Sequence, residues 1–282
     1  MITCIPDSEV ERLIDEDIPY GDLTTHLLGI GESQGRIAFT TREETTLCCT
    51  EEASKVLKKC GVTTTFYMPS GTRLPAGIEF LTADGSAQAL HAGWKVALNL
   101  LEYASGIATR TGRIVEKSRA VNPSISVVTT RKSFPGTKKI AIKAVTAGGA
   151  LPHRLGLSET VLVFKQHTAF LGGLEVFLGS VSELKLKARE TKIIVEADTV
   201  AEALLIARSS ADVVQLDKIK PAELADTVTA IRSANPNILI SAAGGINESN
   251  VAEYAATGID IIVLSSVYFG KPSDIGAKIQ PV

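Results

Sequence analysis

The second half of the chain repeats one rhythm. Short runs of β-branched and aliphatic residues recur at 125–129, 160–164, 192–196, 212–216, 238–242 and 260–264. Amphipathic stretches of helical length lie between most of them, at 199–209, 221–233 and 248–257. A strand, a helix and a second strand return to one sheet by a crossover, so the pattern specifies parallel strands with helices packed on them. Six such runs suit an α/β fold, an open or incomplete (β/α) barrel, better than a short doubly wound sheet. No Gly-x-Gly-x-x-Gly follows the first strand, which counts against a dinucleotide-binding fold.

Upstream the pattern is mixed. Strand-like runs at 36–41 and 63–68 flank a short helical run at 51–60. The turn signals Pro69-Ser70-Gly71, Pro75-Ala76-Gly77 and Ala83-Asp84-Gly85 crowd together, as in a small α+β domain. A longer helical segment follows at 92–120, with Val96, Leu98, Leu100, Leu101, Ile107 and Ile114 near helical spacing. Gly106 and Gly112 within it predict a break or a close helix contact. The expected division is an α+β domain over 1–112 and a barrel over 113–270.

Composition narrows the function. At 45% hydrophobic residues in 282, the chain has ample apolar material for a core. Its 29 Lys+Arg against 31 Asp+Glu leave a net charge of −2, so a nucleic-acid partner is not expected. No run approaches the ~20 apolar residues of a membrane span. The opening MITCIPDSEVERLIDED is acidic and lacks the apolar stretch of a secretion signal. Cys4, Cys48, Cys49 and Cys60 form no CxxC pair, and no later Cys or His completes a zinc site. Cys48-Cys49 reads as a buried strand pair, and the expected setting is the reducing cytoplasm.

In barrels of this kind, ligand-binding groups collect where the strands end. The six ends carry Thr130-Arg131-Lys132, Phe164-Lys165, Glu196, Asp217, Ala243-Gly244-Gly245 and Ser265. A single carboxylate at a strand end is as readily a solvated group as a functional one. Together, Glu196 and Asp217 suit Mg²⁺, which keeps waters and shares substrate phosphates. The glycine turn suits a phosphate. The segment 129–154 holds Arg131, Lys132, Lys138, Lys139, Lys143 and Arg154 and no Asp or Glu, a local attractor for anions. Lys138, Lys139 and Lys143 read as a solvated helix face. Arg131, Lys132, His153 and Arg154 read as ligand groups, with a structural role for His153 left open. The residues point to a Mg²⁺-assisted enzyme acting on a phosphorylated sugar or similar ligand together with a carboxylated partner.

The same residues resemble the nicotinate-nucleotide pyrophosphorylase (quinolinate phosphoribosyltransferase) family. Thr130-Arg131-Lys132-Ser133-Phe134-Pro135-Gly136, then Gly148-Gly149, then His153-Arg154-Leu155-Gly156-Leu157 are similar to its TRKT-x-PG…GGG-x-NHR-x-GL signature. The likeness extends to Gly21-Asp22-Leu23-Thr24, Ala97-Leu98-Asn99, Ser105–Thr109, Leu216-Asp217 and Gly244-Gly245-Ile246. It implies a small sandwich domain on an open barrel, with the tail 271–282 packing back on the first domain. It also implies a homodimer, or an assembly of dimers, in which Lys95 enters the neighbour's site where the family usually has arginine. By the same resemblance Arg131, His153 and Arg154 face the acceptor acid. Lys132, Glu196 and Asp217 face phosphoribosyl pyrophosphate and Mg²⁺.

Several positions depart from the family. Its Asn before the His-Arg pair is Pro152, its strand-two lysine is Phe164, and the next residue, usually Asp, is Lys165. The Asn after the strand-four Asp is Lys218, and the Glu and Ser before the glycine turn are Ser241 and Ala243. The combination resembles the ModD branch, associated with molybdenum transport. The implied activity is phosphoribosyl transfer to a carboxylated heterocycle. The alternatives are authentic decarboxylation of quinolinate and non-catalytic binding of an oxyanion such as molybdate. If strand two stays regular, Phe164 faces the pocket and Lys165 points away.

Overall fold

The computed structural model describes residues 5–282, and Cys4 lies outside the described residues. The chain divides into two compact units. One holds the residues up to Gly112, Ser133–Gly149 and Val267–Val282; the other holds Arg113–Lys132 and Ala150–Ser266. The helix Lys138–Ala147 thus belongs to the first unit, although its flanking strands belong to the second.

The second unit is built on seven parallel strands. Their spatial order is Leu151–Pro152, Ser126–Thr129, Ile261–Leu264, Leu239–Ala243, Val213–Asp217, Ile193–Ala197 and Val161–Val163. The six expected strands are all present, and the fold is a curled half-barrel. The seventh strand, Leu151–Pro152, was not legible in the sequence. It pairs only with Ser126–Thr129 at the sheet edge, where a proline's missing N–H breaks no ladder. Among the described residues no ladder joins the two edge strands, so the barrel is open.

The crossover helices carry local signals that fix their starts. Thr199 caps Val200–Ala207 by accepting the Glu202 N–H at 3.2 Å, and Glu202 returns the bond to the Thr199 N–H. Pro221 opens Pro221–Ala234, at the position where its missing N–H is harmless.

The first unit holds an antiparallel sheet in the order Ile275–Pro281, Gln34–Thr41, Glu79–Ser86, Thr63–Tyr67. The tail pairs along the whole of the Gln34–Thr41 strand, from Gly35 against Pro281 to Thr41 against Ile275. Ile37, Phe39, Leu57, Phe80 and Leu90 are fully buried at its core. The helix Ala87–Val121 runs unbroken for 35 residues, so the glycines within it make contacts rather than a kink. A Cβ on Gly106 would stand 2.9 Å from the Lys271 carbonyl oxygen.

Two expectations fail here. Cys48 and Cys49 are buried, but not on a strand: Cys49 caps the helix Thr50–Lys59 with φ +62°. Lys143 is not on a solvated face. Its side chain is 3% exposed, and its Nζ donates to Glu52 at 2.5 Å and Glu51 at 2.9 Å. Lys139 is also engaged, with Glu9 at 3.2 Å. Burial alone would raise the Glu51 carboxyl, but hydrogen bonds from Ser70 and Lys143 outweigh it and hold it at about 2.

Replacing Lys143 by Met should therefore destabilise the protein by about 3–5 kcal/mol, because it strands a buried carboxylate. Chemical denaturation at neutral pH measures this. The Glu51 value is depressed, so its contribution is complete above its ordinary 4.5 and drains away as pH falls towards 2. A wild-type unfolding midpoint independent of pH over that interval would contradict the assignment.

Candidate functional site

Register decides which side chains share the concave face. Gln215 stands beside Glu196 on one neighbouring strand and Ser241 on the other, and Asp217 stands beside Ala243. Ala243 is level with Val263, and Val263 with Val128. Two residues on, the Thr130 N–H donates to the Leu264 carbonyl and the His153 N–H to the Thr129 carbonyl, both at 2.9 Å. Side chains alternate along a strand. Thr130, His153, Phe164, Glu196, Gln215, Asp217, Ala243 and Ser265 therefore lie on one face, at its C-terminal rim. The intervening residues, such as Val195, Val214, Leu216, Ala242 and Leu264, are buried on the other.

At one end of this row sit the carboxylates. Glu196 is half-buried and accepts a bond from Gln215 Nε2 at 2.8 Å. Burial raises its carboxyl, and the neighbouring Asp217 and Asp198 add to the effect. Gln215 is 4% exposed, and its other amide atom, Oε1, is buried without a partner. Asp217 pairs with Lys218 Nζ at 2.9 Å. A cavity of ≈ 270 Å³ opens beside them, lined by Lys165, Asp198, Asp217 and Lys218 among others.

At the other end sit the cations. Arg131 and Lys132 are exposed in the loop after Ser126–Thr129, and His153 and Arg154 are half-buried after Leu151–Pro152. Burial holds the Arg154 guanidinium below its ordinary value, and the adjacent Arg131 adds to this. Burial does the same to His153, reinforced by Arg154. Glu159 accepts the backbone N–H groups of Leu155 at 2.5 Å and Gly156 at 2.9 Å, which ties down the loop that follows. Between the two ends the sheet places the turn Gly244-Gly245, with φ +89° and +73°.

Strand two does not stay regular. It ends at Val163, Phe164 is extended, and Lys165 opens the short helix Lys165–Thr168. Phe164 packs on Leu162, Ile194 and Val213 and stacks on His167, with centroids 5.7 Å apart. Lys165 is not turned away from the rim: its Nζ reaches Asp198 at 2.5 Å. Lys95 belongs to the first unit, where it is exposed on the long helix with its Nζ 6.0 Å from the Trp94 ring centroid.

Residues 22–105 match the N-terminal domain of the quinolinate phosphoribosyl transferase family and 107–276 its C-terminal domain. The chain belongs to that family. It is similar to ModD proteins, named provisionally as pyrophosphorylases. The one from Rhodobacter capsulatus is 41% identical, over 90% of this chain and 97% of its own. That from Pasteurella multocida is 39% identical, over 97% of each chain. The structure of the nicotinate-nucleotide pyrophosphorylase from Francisella tularensis superposes with a TM-score of 0.88, at 24% identity over 99% of both chains, and shares the fold. This chain is accordingly an enzyme of a phosphoribosyltransferase family.

Gln215, Asp198 and Glu159 escaped the sequence reading. Gln215 was accessible to it, because it lies two residues before Asp217 and so shares its face. The donor set suits the Mg²⁺ that the family implies. Glu196 and Asp217 offer hard oxygens on adjacent strands, next to a buried side-chain oxygen with no partner. Among the described residues no group of three His, Cys, Asp or Glu side chains forms a ready-made metal site.

The turn gives a sharp contrast. A Cβ on Gly244 would fall 2.6 Å from Lys218 Cγ and 2.8 Å from Asp217 Oδ1, whereas one on Gly245 meets nothing within 4 Å. Both have left-handed φ, so each alanine carries a backbone cost of about 1–2 kcal/mol. Gly244→Ala should be destabilised beyond Gly245→Ala and should lose ligand binding at the rim. Equal unfolding midpoints for the two variants would show that the Asp217 turn has room for a side chain at Gly244.

Proposed function

We propose that this protein transfers the phosphoribosyl group of phosphoribosyl pyrophosphate to the ring nitrogen of a carboxylated, pyridine-like acceptor. It would do so as a ModD-type pyrophosphorylase linked to molybdenum metabolism. The observation that carries the reading is the single concave row with cations at one end, carboxylates at the other and a glycine turn between them.

Arg131 and Arg154 hold the acceptor's carboxylate, which guanidinium groups bind bidentately, and His153 lies beside it. Thr130, Gly244, Gly245, Ala243 and Ser265 line the path of the donor's phosphate, and Lys132 and Lys165 face its pyrophosphate. Glu196 and Asp217 hold Mg²⁺, which when bound stabilises the departing pyrophosphate. The C1–oxygen bond to pyrophosphate breaks as the acceptor nitrogen bonds to C1. The protein supplies position and charge, and no covalent intermediate is needed. Phe164 keeps an aromatic wall on the rim face where the family has a cation, and Lys165, although at the rim, is engaged by Asp198, which favours a ring with one carboxylate over quinolinate. We assign the reaction to the cytoplasm, in keeping with the free thiols of Cys48, Cys49 and Cys60.

A screen of pyridine carboxylates and related bases, following pyrophosphate release, tests the reading. Wild type should turn over with Mg²⁺, and Glu196→Gln and Asp217→Asn should not, while both variants stay folded. Phe164→Lys should raise kcat/KM for quinolinate. If wild type already prefers quinolinate, the enzyme is the authentic decarboxylating transferase. Stabilisation by molybdate with no pyrophosphate release for any acceptor would instead identify an oxyanion-binding protein.

We further propose a homodimer, or an assembly of dimers, in which Lys95 from a second copy completes the acceptor end. Mixing inactive Lys95→Ala with inactive Arg131→Ala chains should restore part of the activity. No recovery despite demonstrated subunit exchange would mean that each chain builds its own site.

A further inference from the structure

Among the described residues at the rim, Lys218 is the one side-chain-bearing residue with a left-handed backbone. Its φ is +60°, in the left-handed region that costs a side-chain-bearing residue about 1–2 kcal/mol. Three features hold it there. Its N–H donates to the Ala243 carbonyl at 2.8 Å. Gly244 leaves room for its Cγ, which any Cβ at that position would meet at 2.6 Å. Its Nζ pairs with Asp217 Oδ2 at 2.9 Å, although the lysine side chain is 80% exposed.

The conformation has a geometric consequence. In an extended strand, neighbours point to opposite faces, and a residue following Asp217 would turn away from it. The left-handed turn brings Lys218 back onto the side of its own predecessor. An exposed ion pair alone contributes too little to offset such strain. The arrangement therefore calls for a role that the resting pair does not supply.

We propose that Lys218 is an internal counter-cation that Mg²⁺ displaces from Asp217, and that the released ammonium then binds the pyrophosphate of the donor. This rests on the transfer reading above and adds a specificity-determining residue to it. In the resting protein Lys218 neutralises Asp217, and so a divalent ion alone binds weakly. When metal and pyrophosphate arrive together, the metal takes the carboxylate, and the ammonium, tethered one residue away, meets the incoming phosphoryl oxygens. Coupled binding is thus built into one turn of backbone. Lys165 stands in the same cavity but is engaged by Asp198, on a different carboxylate from the one the metal needs.

Calorimetry on the full chain tests this with MgCl₂ alone, and with inorganic pyrophosphate at saturating MgCl₂. Two variants separate charge from strain. Lys218→Asn removes the charge and suits the left-handed backbone, and Lys218→Met removes the charge and keeps the strain. Both should bind Mg²⁺ alone about three- to tenfold more tightly than wild type. Both should bind Mg²⁺-pyrophosphate about tenfold or more weakly, the loss of one charged hydrogen bond. The thermal midpoint of Lys218→Asn should equal or exceed that of wild type, which shows that the variant is folded. Wild-type binding of Mg²⁺-pyrophosphate that neither variant alters overturns the inference alone. Absence of such binding in the wild type overturns the transfer reading and the inference with it.

Discussion

Everything at the rim depends on the register of the parallel strands. Side chains alternate with period two, so a slip of one residue in Val213–Asp217 would carry Gln215 and Asp217 to the far face. Val214 and Leu216 are fully buried there. Putting a carboxylate in that layer is expensive, and so is exposing the aliphatic residues it displaces. The same alternation that satisfies the hydrophobic layer therefore lines up Glu196, Gln215 and Asp217 with Ala243 and Thr130. Beneath them Leu162, Ile194 and Val213 form an apolar floor. Glu196 is half-buried at this level, and that burial raises its carboxyl.

Much of this was legible in the sequence because it is local and periodic. Aliphatic runs marked six of the seven strands, and the residues after each run marked the rim. The TRK and HR motifs gave the cationic end. What was not legible depends on contacts between distant segments. The basic stretch 129–154 looks continuous, yet Lys143 is drawn into a buried cluster with Glu51 and Glu52, some ninety residues earlier. Neither the burial nor the partners leave a trace in the helix's own pattern. Leu151–Pro152 is too short to show a period, and its pairing is dictated by the neighbouring strand. The direction of Lys165 hung on whether strand two stays regular, and the strand ends at Val163. The helix that begins there has a different period, and its start carries no strong cap in the sequence. Lys218 is a plain lysine in sequence, and its left-handed backbone follows from the space left by Gly244.

Both ends of the row set a half-buried charge beside a like one, and they differ in their resting partners. At the carboxylate end each acid has a partner: Glu196 has Gln215, Asp217 has Lys218 and Asp198 has Lys165. At the cationic end Arg154 is shifted down by burial and by Arg131, so two like charges stand close together. A carboxylate arriving between them removes that repulsion and gains two forked hydrogen-bonding partners. Its binding is favoured partly because the resting arrangement is unfavourable. A bare cation would relieve Glu196, which burial and the neighbouring Asp217 and Asp198 raise, but at Asp217 it meets a carboxylate already paired with Lys218. A ligand that brings its own anion and metal changes this balance, since it offers the displaced ammonium of Lys218 a new partner. On the proposed transfer reading, the acceptor end is poised for a simple carboxylate and the donor end for a metal-anion complex. A substrate pair with those two chemistries would relieve both ends of one continuous face.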